Sequence, residues 1–173
     1  MRTYSNLVAM GLGIAFILLA SSMHGCCDSN PQKNNADATR ITRDVTNLVN
    51  RWAVAFEARD LEGVRSVLAQ RTPFVWLEDG EPRYRSVGDI LKALESFPPN
   101  LSIRHALQDV VIAPMSNDTA WAHLHTSTKI EHDGRVVSEF TGVVLMIVQR
   151  DESGWRIHAA HTSTSNPRTR SRG

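Results

Sequence analysis

Residues 143–148 are apolar at every position and end in a polar turn over 149–154. Beyond it, Trp155, Ile157, Ala159, His161 and Ser163 alternate with Arg156, His158, Ala160 and Thr162. The apolar run is long enough for a strand and too short for a helix, and the alternation puts the two later sets on opposite faces of a second strand. Together they predict a hairpin at the centre of a sheet. A strand apolar on both faces has to be covered on both, so helices are expected over one side and a partner subunit over the other.

Upstream the period changes. Ile41, Val45, Leu48, Val49, Trp52 and Phe56 recur at spacings of three and four, which predicts a helix of roughly five turns with Asp37 or Thr39 as its cap. Asp60 reads as the N-cap of a shorter helix that turns Leu61, Val64, Val67 and Leu68 to the same core. Residues 74–77, a turn over 78–82 and Tyr84 predict a short hairpin, with Pro82 confining its second arm to an edge. Ser86 and Asp89 form a capping-box pattern for a third helix carrying Ile90, Leu91, Leu94 and Phe97, which Pro98 and Pro99 end. Strands follow over 101–113 and 120–130, separated by a turn at 114–118, and Asp133-Gly134 turns into the two strands described first. Helix, helix, short hairpin, helix and four antiparallel strands give an α+β fold: a curved antiparallel sheet with three helices on its concave face and a cavity between them.

Composition adds limits. A chain of 173 residues with 42% hydrophobic content supports one domain and one core. A formal charge of +1 without a clustered basic face gives no reason to expect a nucleic-acid partner. The one basic cluster is Arg168, Arg170 and Arg172, in a tail over 166–173 that is expected to be disordered.

The amino terminus reads as an address. Arg2, an uncharged run over 7–20 and the small residues Ser21 and Ser22 have the order of a secretory signal. Met23-His24-Gly25-Cys26 resembles the lipobox of bacterial lipoproteins, in which the cysteine becomes the lipidated amino terminus. The expected division is a signal peptide over 1–25, a flexible polar tether over 26–38, a folded domain over 39–165 and the tail. Cys26 and Cys27 are the only cysteines and are adjacent, so no disulfide framework is available. Lipidation of Cys26 would hold the protein at the bacterial cell envelope facing the periplasm or exterior, with ordinary secretion as the alternative, and would be its only contact with the membrane.

Trp52 and Phe56 at the end of the first helix, FVWLEDG, YRSVGDILKAL, DTAWAHLH and above all GWRIHAAHTS resemble the SnoaL-like branch of the nuclear transport factor 2-like superfamily over about residues 39–165. The resemblance implies a cone-like α+β barrel, dimeric through its sheet, with a ligand cavity at the wide end. Superfamily members include isomerases, cyclases, dehydratases and proteins without chemistry. A tyrosine-based isomerase site has only Tyr84 to draw on beyond the signal peptide, and no position matches a cyclase carboxylate.

His161 is the leading candidate for chemistry, in phase with Trp155 and Ile157 and, by the resemblance, at a recurrent His-x-Ser position; its alternative is a hydrogen bond that holds the sheet end. His123 and His125 share a strand face with Trp121 and Ser127. If that face is concave, the three histidines supply acid/base groups; if Ala122, Leu124, Thr126, Thr128 and Ile130 face inward, they do not. A metal held by these imidazoles is the lesser alternative, because two histidines at alternating spacing without a third demonstrated ligand are common on strands, so no metal site is expected; no motif calls for a cofactor. Asp109 and Glu139 are expected to pair with Arg104, Arg135 or Arg156. Trp52, Phe56, Trp76, Tyr84 and Trp121, with His161, are the candidate ligand-binding wall. The expectation is an envelope-anchored domain that binds a small, mostly apolar molecule. The alternatives are a cofactor-independent isomerase, cyclase or dehydratase using histidine, and a non-catalytic dimerisation module.

Overall fold

The computed structural model describes residues 31–71 and 73–165. The segment expected to be a signal peptide, Cys26, Cys27 and the basic tail lie outside the described residues. The first helix, α1 (Pro31–Ala58), begins inside the segment expected to be a tether. Proline is tolerated in a first helical turn, and nothing in the polar residues after it breaks a helix already nucleated by the apolar stripe. That stripe is buried as its spacing requires: Ile41, Val45, Leu48, Val49 and Trp52 are at most 4% exposed. Arg59 takes a positive φ of 53° and ends α1. Asp60 then accepts from the Gly63 amide at 3.0 Å and opens α2 (Leu61–Val67). In α3 (Val87–Glu95) the Ser86 hydroxyl accepts from the Asp89 amide at 3.1 Å, and the Asp89 carboxylate accepts from the Arg85 amide at 3.0 Å. The helix is thus boxed from both sides.

Six strands follow the predicted segments: β1 (Val75–Glu78), β2 (Glu81–Tyr84), β3 (Leu101–Pro114), β4 (Thr119–His132), β5 (Arg135–Asp151) and β6 (Gly154–Ser165). Their order across the sheet is β2-β1-β6-β5-β4-β3, so the hairpin of β5 and β6 is central. The expected α+β fold, with three helices on a curved sheet, is present, and two details go beyond it. The curved sheet does not close, and β1 runs parallel to β6, which makes the sheet mixed. Parallel pairing joins segments far apart in the chain, and nothing local to either strand encodes its direction.

The phase of β6 is corrected. At the register shift between Ile147 and Val148, Val148 pairs with Ile157 and Ile147 with Ala159, which leaves His158 as an extra residue. The bulge reverses the alternation beyond it. Trp155 and Ile157 face the helices, as do Ala160 and Thr162, while His161 faces out beside Leu145 and Leu77. In β4 the inward row is Ala120, Ala122, Leu124, Thr126 and Thr128, all at most 5% exposed. Trp121, His123 and His125 therefore lie on the outer face.

The core fills one end of the inner face, where Ala122, Leu124, Val144, Met146, Val148 and Ile157 pack with the buried residues of α1 and α2. Toward the other end the β4 row changes from leucine to threonine, and the helices no longer fill the space above it.

Candidate ligand cavity

That space is a cavity of about 230 Å³. Trp52 and Phe56 of α1 form one wall, and Ile90, Leu94 and Phe97 with α3 form another. Trp52 and Phe56 are one helical turn apart and therefore share a face. Their rings lie 5.9 Å apart, and Trp52 meets Trp76 of β1 at 5.4 Å. The Trp76 indole donates to the Thr162 hydroxyl at 3.0 Å, which fixes its ring against β6. Beside it, Asp79 accepts from both the amide and the hydroxyl of Thr164, each at 2.7 Å. These bonds hold its carboxyl below the usual range and tie the β1–β2 turn to the central sheet.

The floor carries the polar groups. His105 of β3 presents its ring to Trp52 at 5.1 Å and to Phe56 at 5.5 Å, edge to face in both cases. Its Nδ1 shares a hydrogen bond of 2.8 Å with the Thr128 hydroxyl, while its Nε2 is buried without a partner. Burial pushes its pKa down to about 4, against a smaller opposing pull from Glu57. The ring is neutral at physiological pH. Glu78 at the mouth is half-buried, and burial raises its carboxyl, partly offset by the Arg83 guanidinium at 3.5 Å.

Four of the residues expected to form the wall line this cavity: Trp52, Phe56, Trp76 and Tyr84. Trp121 and His161 do not, and neither do His123 and His125. The reasons are the alternation of β4 and the bulge at His158. On the outer face the rings of His123 and His125 are 5.5 Å apart, and His125 Nδ1 lies 3.6 Å from the Asp109 carboxylate. No group of three or more potential ligands among the described residues is placed to hold a metal. Asp109 pairs with that histidine and Glu139 with Lys129 at 3.2 Å, so neither uses the arginines expected. Sequence reasoning missed His105 and Glu78. His105 does carry a signal, because it alternates in phase with Ile103 and Leu107.

The model of the SnoaL-like domain matches residues 37–161, which is most of the described chain. No curated protein matches. Among solved structures, a nuclear transport factor 2-like superfamily protein from Salmonella enterica serovar Typhimurium superposes with a TM-score of 0.65 at 14% identity, covering 78% of this chain and 98% of that one. A type 2 hexachlorocyclohexane dehydrochlorinase gives 0.64 at 11% identity, covering 76% and 90%. A nuclear transport factor 2-like protein from Rhodospirillum rubrum gives 0.60 at 21% identity, covering 71% and 99%. At these identities the structures share a fold with this chain and nothing finer. Helix order, an unclosed curved sheet and the family match agree: the fold is nuclear transport factor 2-like, and this chain belongs to the SnoaL-like domain family.

Proposed function

We propose that the domain binds a small, mostly apolar molecule in the cavity between α1, α3 and the sheet. The observation that carries this is a cavity of about 230 Å³ walled by aromatic and aliphatic side chains in a domain whose other end is fully packed. Leaving that much apolar volume unfilled forgoes on the order of a few kcal/mol of packing, so a purely structural module would be expected to fill it. Acid/base catalysis is less well supported. A general acid or base works best with a pKa near the operating pH, and His105 sits at about 4. Among the described residues no carboxylate is hydrogen-bonded to its ring; Glu57 accepts only from its backbone amide, at 3.4 Å.

Ala93 lines the cavity from α3. Ala93→Phe should place a ring in the cavity and weaken the binding of naphthalene, a neutral apolar probe, at least tenfold by calorimetric titration. Equal affinity of variant and parent would count against the cavity as the binding site.

Two further parts of the reading concern placement. Residues 2–26 support anchoring at the cell envelope through lipidation of Cys26. Cys26→Ser is then expected to move the protein from the membrane to the soluble fraction, and its retention on membranes would contradict the anchor. Exposed apolar residues on the outer face of the sheet support a homodimer, with a second copy of this chain covering Val111, Leu145 and Ile147.

A further inference from the structure

The cavity wall has one charge and it is negative. Glu78 is the only charged residue that lines it among the described residues, and no lysine or arginine does. Aromatic rings line the same cavity: Trp76, two residues from Glu78 on the same face, Tyr84, which pairs with Trp76 across the β1–β2 hairpin, and Trp52 at 5.4 Å from Trp76. A ring face carries negative potential, and a cation within about 6 Å of a ring centroid is drawn to it, most strongly when water is excluded. We propose that the occupant of this cavity is an amine: a hydrophobic ammonium compound whose cationic head lies between Glu78 and the aromatic rings and whose apolar body fills the space beneath α3. This rests on the small-molecule reading above and adds the charge class of the ligand.

Two further observations support it. The same corner already accommodates a cation on its solvent side, where the Arg83 guanidinium lies 5.7 Å from the centre of the Tyr84 ring and 3.5 Å from the Glu78 carboxylate. Arg83 is largely exposed, so water screens it, and among the described residues no lysine or arginine lines the cavity side of the carboxylate. Burial also acts on Glu78 more strongly than Arg83 does, raising its carboxyl. A carboxylate in that state gains from an ammonium group that replaces its lost hydration. Anionic ligands are disfavoured for the same reasons, since a carboxylate entering here meets Glu78 and, among the described residues, no lysine or arginine in the cavity wall. At about 230 Å³ the cavity is smaller than the roughly 300–1,000 Å³ of sites for drug-sized ligands, so the occupant is fragment-sized.

The test compares two probes of one shape, phenyltrimethylammonium and its neutral isostere tert-butylbenzene, by calorimetric titration of the full-length protein. Phenyltrimethylammonium is expected to bind at least tenfold more tightly. Glu78→Gln is expected to remove most of that ratio, and raising the salt concentration to shrink it. Equal or tighter binding of tert-butylbenzene by the wild-type protein would overturn the amine assignment and leave the cavity reading standing. Binding of neither probe would overturn both. The wild-type ratio decides the matter even if the Gln variant does not fold.

Discussion

Leu145→Glu is expected to weaken the proposed homodimer at least a hundredfold. Leu145 lies on the outer face of β5, a central strand, with His123 beside it on β4 and His161 on β6. Val111 and Leu77 continue the same row, and Ile147 stands two residues on. Val111, Leu145 and Ile147 are 49%, 43% and 36% exposed, although each sits within a regular strand. Four strands about 4.8 Å apart and about 40 Å long present roughly 750 Å², close to the ~800 Å² that each partner contributes to a stable interface. In a two-fold dimer every substitution is present twice. A pair of buried carboxylates, with only the His123 and His161 rings beside each, would cost at least about 3 kcal/mol, and each 1.4 kcal/mol is about tenfold in the dissociation constant. Sedimentation of parent and variant over a dilution series reads the change. A parent that is monomeric at the highest concentration, or a variant that associates equally well, would rule out this face as the interface.

His105 should make the stability of the fold depend on pH. Its pKa is about 4 in the folded protein against an ordinary value of 6.5, because burial penalises the imidazolium. Between those values the unfolded chain binds a proton that the folded chain does not. This contribution is therefore fully present above about pH 6.5 and is lost progressively as the pH falls toward 4. From pH 7 to pH 5 the loss is about 2 kcal/mol. His105→Gln has no such titration, so its stability should fall by about 2 kcal/mol less over that interval. Urea unfolding of both proteins at the two pH values measures the difference, and the other titrating groups cancel in the comparison. Parallel pH dependence in parent and variant would show that the ring is not desolvated as the structure has it.

Sequence alone determined the elements of this domain and much of its cavity wall. The three-and-four spacing of the α1 stripe can be satisfied only by a helix with one buried face, so Trp52 and Phe56 had to lie on that face. The caps at Asp60 and Ser86 were equally legible, because a cap is a bond between near neighbours in the chain. So were the strand boundaries, set by polar turns.

Tertiary structure decided what depends on pairing between distant segments. β1 found β6 in parallel, which carried Trp76 and Glu78 to the cavity wall. One extra residue at His158 reversed a face, and His161 passed from the expected site to the outer surface. In β4 the choice between two similarly apolar rows was made by the helices that pack on one of them, and it placed His123 and His125 outside. His105 became a site residue because α1 lies across β3 and puts Trp52 and Phe56 against its ring. Alternation defines two faces for a strand, but only packing, with its removal of apolar area from water, determines which of them is the inside.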